Sequence, residues 1–226
     1  RVNGEDVRGI SVEELRNKVR GPKGTTVTLT ILHEGEAEPV EIAVVREEIR
    51  LRSVSWRMLP DGVALVQINR FAERTSEEFR QAREELEAQG ARALVLDLRN
   101  NPGGLVTELV GVASQLLPPE STVLIEQDRS GNTRPYKTAR DSQPTTLPMV
   151  VLVNENSASA AEILAGALKD NGRARVIGMP TFGTATVLRS FDLPGGGQVR
   201  LGTSQWLTPE GKEVRGVGIQ PDRSND

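Results

Sequence analysis

Two stretches of this 226-residue chain hold residue types at spacings that could do chemistry on a carbonyl group. The first is NENSASAAE at 154–162, which follows the apolar run MVVLV at 149–153 and opens a helical pattern. A hydroxyl at a helix start that attacks a carbonyl puts the developing oxyanion beside partially positive backbone N–H groups. Ser159 is therefore a candidate nucleophile, with the amide of Ala160 beside it. The same residues also fit a capping box, in which the Ser159 oxygen accepts a backbone N–H and Glu162 reaches back to the cap. The second stretch is DLRNNPGG at 97–104, which ends an apolar strand and enters a helix. Its glycines allow positive φ and let backbone N–H groups face outward, where they can hold an anion. A tight strand-to-helix turn with no ligand explains the same pattern.

A serine hydroxyl is a weak nucleophile near neutrality and needs a neighbouring group to take its proton. The chain offers five lysines (Lys18, Lys23, Lys137, Lys169 and Lys212) and one histidine. His33 sits in a predicted hairpin and reads as a solvated surface imidazole rather than a member of a Ser-His-Asp arrangement. Lys169 lies about 15 Å of helical rise beyond Ser159, out of reach. Lys137, in a polar hairpin, and Lys212, in the turn TPEGK, are the two that could substitute, and both also read as solvated lysines.

The elements that must position these residues are legible as hydrophobic periods. In residues 1–50, SVEE at 11–14 starts a helix ending near Arg20, and GPKG at 21–24 punctuates it. The β-branched run 25–32 is predicted to pair with 40–45 across a Glu34-Gly35 turn. From residue 51 the pattern becomes α/β. Strands are predicted at 63–68, 93–97, 122–125 and 149–153, and helices at 76–88, 107–117 and 158–169. Phe79, Ala82 and Leu86 mark the inner face of the first of these helices. The interval 128–148 reads as an exposed hairpin or loop carrying Tyr136. After Phe182 the chain reads as β-hairpins turning at Gly195-Gly196-Gly197. Alternating strands and helices predict an α/β core of a sheet with flanking helices.

Composition narrows the functions. Charged residues make up 26%, hydrophobic residues 37%, and the net charge is −3, so neither disorder nor a nucleic-acid-binding field is expected. The absence of cysteine excludes disulfides, thiolate zinc sites and cysteine nucleophiles. There is no run of about 18 apolar residues, and the start RVNG is not a signal peptide. The chain is expected to open within a domain.

Taken together, NENSASAAE, DLRNNPGG, GMPTFGTATVL at 178–188, TPEG at 208–211 and the closing GVGIQPD at 216–222 resemble the segments of the C-terminal processing peptidases, serine-lysine enzymes. The resemblance covers about residues 2–222. It implies Ser159 as nucleophile, with the amides of Gly104 (Gly103 as alternative) and Ala160 as oxyanion donors. In that family the motif TFGKxxVQ supplies a lysine base and a glutamine that orients it; here Thr184 and Leu188 occupy those positions. Residues 1–50, with RGPKGTTVTLT at 20–30, resemble the C-terminal part of a PDZ domain, truncated at its start. Residues 51–226 are expected to form a crotonase/Clp-protease-like core. The resemblance further implies protein or peptide substrates, including C-terminal tails, no cofactor, metal or nucleic acid, and a cell-envelope or periplasmic location. With base and orienter both lost, activity by the family mechanism is expected to be very low. A non-catalytic binder of peptide tails, or a regulator of an active partner, is the competing class.

Overall fold

In the computed structural model, which describes residues 1–48 and 52–224, the chain divides into two units, Arg1–Leu51 and Arg52–Asp226. The boundary expected at 50/51 falls outside the described residues. In the first unit Ser11 caps helix α1 (Val12–Val19) with the capping box its sequence encodes. Glu14 accepts the Ser11 N–H at 2.8 Å, and the Ser11 hydroxyl accepts the Glu14 N–H at 3.2 Å. Strand β1 (Thr26–Ile31) runs antiparallel to β2 (Val40–Val45), with Thr26 opposite Val45 and Ile31 opposite Val40. The turn between them closes through the Glu36 N–H on the His33 carbonyl. His33 is exposed, and Lys18 and Lys23 pair with Glu5 and Glu47.

The second unit is built on a six-stranded sheet. Its elements in chain order begin with β3 (Val54–Met58), β4 (Val63–Ile68), α2 (Thr75–Ala88), β5 (Ala93–Asp97), α3 (Val106–Ala113), β6 (Thr122–Asp128) and β7 (Thr133–Lys137). They continue with β8 (Met149–Val153), α4 (Ala160–Asp170), β9 (Arg175–Gly178), β10 (Thr186–Asp192), β11 (Gln198–Leu207) and β12 (Arg223–Ser224). The large sheet has the order β12-β9-β8-β5-β4-β3, parallel except for β3 against β4. A smaller antiparallel sheet has the order β10-β11-β6-β7. The fold is mixed α/β, with sheets and flanking helices. Because β4, β5, β8 and β9 run the same way, the loops that leave them gather along one edge of the sheet, where open α/β folds place their ligands.

The continuous apolar runs became the inner strands because both faces of a parallel sheet are covered. Three elements escaped the periodicity. Edge strand β3 mixes Ser55 and Arg57 with its apolar residues, β9 carries only two buriable side chains, and β12 is two residues long. Helix α3 also stops at Ala113, short of the expected 117. The Gln115 and Leu116 N–H groups take i−3 carbonyls, tightening the chain into turns, and Pro118-Pro119 cannot continue a helix. Leu116 and Leu117 are fully buried nonetheless.

Helix α4 is buried on every side, from Ala160 through Leu168. Its alanines and Gly166 let neighbours approach closely; a Cβ on Gly166 would stand 3.0 Å from Ile219 Cδ1. A helix without a solvated face takes its stability from packing. Leu164→Ala, at a fully buried position, should therefore cost about 3 kcal/mol, read as a lower urea midpoint at unchanged slope. A loss below about 1 kcal/mol would mean the helix is less tightly packed than described.

Candidate active site

Strands β5 and β8 are neighbours, with Asp97 opposite Leu152, so the two sequence motifs leave the sheet side by side. Their loops interlock. The Ala158 N–H donates to the Asn101 carbonyl at 2.9 Å, and the Ser157 hydroxyl donates to the Leu98 carbonyl at 2.8 Å. Asn100 meets Asn154 through two hydrogen bonds of 2.9 Å. Asn101, fully buried, donates to the Ile68 carbonyl at 2.7 Å and accepts the Gly103 N–H at 2.8 Å. The glycine turn is also stitched to the loop after β4. The Phe71 N–H donates to the Gly103 carbonyl and the Leu105 N–H to the Phe71 carbonyl, each at 2.8 Å.

Ser159 caps α4 at φ 53°, ψ −117°, a region that residues with a Cβ seldom occupy and that costs on the order of 1–3 kcal/mol. A sharp strand-to-helix turn of this kind lifts a serine hydroxyl out of the chain path. The Ser-x-x-Glu box is in place, and its glutamate half closes as a hydrogen bond, the Ser159 N–H on Glu162 Oε2 at 2.9 Å. The Glu162 N–H faces the Ser159 side chain as the other half of the box, without closing a cap hydrogen bond of ordinary geometry.

The two motifs touch. A Cβ on Gly103 would lie 2.7 Å from Ser159 Cβ and 2.9 Å from the Ala160 nitrogen, and one on Gly104 would lie 2.1 Å from the Phe71 carbonyl oxygen. Only glycine fits at either position. Their N–H groups differ, however. That of Gly103 is spent on Asn101, whereas those of Gly104 and Ala160 have no partner among the described residues. Of the two glycines weighed from sequence, Gly104 is the one with a donor to spare.

Glu162 ties this assembly to the loop after β9. Its carboxyl group is fully buried and accepts four hydrogen bonds. Oε2 takes the N–H groups of Ser159 and Thr184, both at 2.9 Å. Oε1 takes the Gly183 N–H at 2.7 Å and the Thr181 hydroxyl at 2.5 Å. Position 184 is therefore held next to the nucleophile's helix by its main chain, with the Thr184 carbonyl accepting Trp206 Nε1–H at 3.1 Å. Sequence reasoning saw Glu162 only as half of a cap. The other three donors arrive from residues far along the chain, which no local pattern announces.

Ser159 and Gly104 line a cavity of about 700 Å³, walled by Val106, Val110, Ile163, Val187, Leu188 and Trp206 and bearing Glu126, Tyr136 and Arg200. No lysine or histidine lines it. Lys137 pairs with Glu120, Lys169 with Asp222, and Lys212 with Glu210 and Asp170. Each is occupied elsewhere. Leu188 is 53% exposed at the cavity's edge. Glu126 accepts the Ser204 hydroxyl at 2.5 Å and the Tyr136 hydroxyl at 2.9 Å. The Ser204 hydrogen bond, followed by Tyr136 and the Arg189 guanidinium, holds its carboxyl below the usual range against the opposing effect of burial. It is a poor proton acceptor near neutrality. Burial, then the bond to Glu126, pushes the Tyr136 phenol up. Glu126 was missed from sequence although a signal existed: it falls two residues after buried Leu124, on the inward face of β6.

Comparison with known proteins gives a consistent result. The profile of peptidase family S41 matches residues 62–224. A carboxyl-terminal-processing protease of Synechocystis sp. is 38% identical over 225 residues, covering 98% of this chain and 52% of that protein. A protein of Staphylococcus haemolyticus described as a probable CtpA-like serine protease is 36% identical over 224 residues, covering 98% of this chain and 44% of that one. Among solved structures, a photosystem II D1 C-terminal processing protease superposes with a TM-score of 0.70 at 31% identity, covering 100% of this chain and 62% of its own. The chain thus spans about half the length of the curated relatives it matches.

Proposed function

The chain belongs to peptidase family S41, and from that premise we propose that it is a protein of the C-terminal processing serine-peptidase type whose catalysis is impaired. In this reading Ser159 stands as the nucleophile and the N–H groups of Gly104 and Ala160 as the oxyanion donors. Thr184 and Leu188 occupy the places of a lost lysine and glutamine. One observation carries the reading: the cavity beside Ser159 contains no lysine or histidine. A threonine hydroxyl is no base near neutrality. Removing one member of a nucleophile-base unit costs roughly six orders of magnitude in turnover, while an intact oxyanion hole leaves a residue of about 10³–10⁴ over water.

The apolar wall that Leu188 adds to the cavity favours a second reading, a non-catalytic binder of peptide tails or a regulator of an active partner. Either role suits a crotonase/Clp-protease-like core preceded, over residues 1–50, by the C-terminal part of a PDZ domain. The α1 helix and the β1–β2 hairpin are compatible with that part. Protein substrates follow from the family; C-terminal tails and a cell-envelope or periplasmic location complete the proposal. Among the described residues no helix is long and apolar enough to cross a membrane.

A fluorophosphonate probe at mildly alkaline pH tests the catalytic half. We expect no labelling that depends on Ser159, and a peptide-cleavage background that Ser159→Ala leaves unchanged. Robust cleavage abolished by Ser159→Ala would overturn the reading, and Lys137→Ala and Lys212→Ala would then locate the replacement base.

A further inference from the structure

The four-stranded sheet has two edges, and they are built differently. Edge strand β7 is short and holds Pro135 and Lys137, two of the devices that keep a free edge from pairing with another chain. At the other edge β10 runs from Thr186 to Asp192 with neither proline nor lysine. Its basic residue, Arg189, stands 3.5 Å from Glu126, so that charge is answered within the chain. The bulge in its pairing with β11 falls between Val187 and Leu188 and leaves the register regular from Leu188 to Asp192. Residues 188–192 are all exposed. Unpaired N–H and C=O groups along such an edge are a template for a further strand.

The side chains of β10 fit the strand to a copy of itself. Phe191, 45% exposed, lies across from Val199, and Arg189 lies across from Leu201, 52% exposed, so one face of the hairpin offers apolar surface beside the open edge. Two copies of a strand paired antiparallel about a two-fold axis put like faces together only when the axis passes through a residue position. Centred on Arg189, two guanidinium groups would oppose each other, which destabilises a pair. Centred on Phe191, only residues 190–192 of the strand would pair. Centred on Ser190, residues 188–192 all pair: Arg189 meets Phe191 of the second copy, a cation against an aromatic ring, at both symmetric places. The arginine and the aspartate of β10 cancel, so the strand carries no net charge to repel its copy.

We propose that β10 is a self-association edge: two copies of this chain pair antiparallel along it, centred on Ser190, and join their four-stranded sheets into one. The contact reaches the candidate active site. Leu188 lines the cavity beside Ser159, and in this pairing Asp192 of the second copy stands directly across from it. Each copy thus adds a carboxylate to the edge of the other's cavity and covers the open side of β10. The pairing depends on the strand alone and holds whether or not Ser159 is active.

Sedimentation velocity of the purified chain over about 5–500 µM tests the pairing, since a strand-to-strand contact of this size lies at the weak end of specific interfaces. The chain should pass from monomer to dimer with a Kd on the order of 10–100 µM, and the mass should stop at the dimer because a two-fold contact closes. Phe191→Lys, at an exposed position, should weaken association at least about tenfold with melting unchanged. The chain has no cysteine, so Ser190→Cys supplies a single thiol that meets its copy on the axis. Directly opposed residues there have Cα atoms about 4.5–5.5 Å apart, within the reach of a disulfide. Under mild oxidation this variant should crosslink at least about tenfold faster than Ser130→Cys, whose position is exposed in the turn between β6 and β7. A monomer throughout the range, a mass that grows past the dimer, an association that Phe191→Lys leaves intact, or crosslinking no faster than at Ser130 would each overturn the proposal.

Discussion

Thr184→Lys combined with Leu188→Gln should bring Ser159-dependent fluorophosphonate labelling to at least about a hundredfold above the background rate of the parent, the lower range of what a positioned general base contributes. Either change alone should give less than about tenfold. The expectation of non-additive gain comes from geometry that has outlived the missing side chains. Ser159 keeps its φ of 53° at the start of α4, and the Gly104 and Ala160 N–H groups have no partner among the described residues. The main chain of residue 184 is fixed by its N–H on Glu162 and its carbonyl on Trp206, so a new side chain there starts from a position that the original threonine did not determine. A lysine alone would be a mobile ammonium, and a glutamine alone would have nothing to orient. Thr184 itself does not line the cavity, so the longer lysine must turn toward Ser159; where its ammonium meets the apolar walls, desolvation lowers its pKa and favours the basic form. The same desolvation costs stability, so melting must be followed beside labelling. A double variant that folds as the parent does and still fails to label would show that the defect extends beyond these two positions, and would strengthen the peptide-binding alternative.

What could be read in advance divides along physical lines. Strands β5 and β8 were legible because the short continuous apolar runs 93–96 and 149–153 are bounded by polar and turn residues, and α2 because Phe79, Ala82 and Leu86 repeat at helical spacing. β3 and β9 were not, since their stability comes from pairing with β4 and β8 and leaves little trace in their own side chains. In the site, Ser159 and the glycine turn were picked out by their match to the family's segments, since the local pattern fits a plain helix cap and a plain strand-to-helix turn equally well. Asn101, Glu126 and Glu162 were not read as site residues because the partners that satisfy them are distant in sequence: Ile68 for Asn101, Ser204 for Glu126, and residues 181–184 for Glu162. Polar groups can be buried only with their hydrogen bonds made, yet a sequence does not say by whom.

Glu162 is where that lesson has the largest energetic consequence. Glu162→Ala should destabilise the second unit by about 3–5 kcal/mol, because the four donors now on the carboxyl group lose their acceptor in a buried place and each unsatisfied group costs roughly 1–3 kcal/mol. The loss stays below the full sum to the extent that water enters the space left by the side chain. Glu162→Gln nearly preserves volume and is the sharper test. Its oxygen can replace one carboxyl oxygen, but its NH₂ group must face either the N–H groups of Ser159 and Thr184 or the N–H of Gly183 and the Thr181 hydroxyl. In the first orientation two N–H groups oppose the NH₂; in the second the Gly183 N–H does, while the Thr181 hydroxyl can turn to accept, so glutamine should lose a large part of what alanine loses. A purely volumetric role predicts the opposite, with glutamine close to the parent and alanine alone impaired. The two outcomes separate cleanly by thermal melting or urea midpoint. Because one oxygen of Glu162 holds both the Ser159 and the Thr184 N–H groups, a second readout follows: in the Glu162→Gln background the joint gain from Thr184→Lys and Leu188→Gln should collapse toward the level of the single variants. If that gain survives intact, the spacing between serine and residue 184 is set by something other than this carboxyl group.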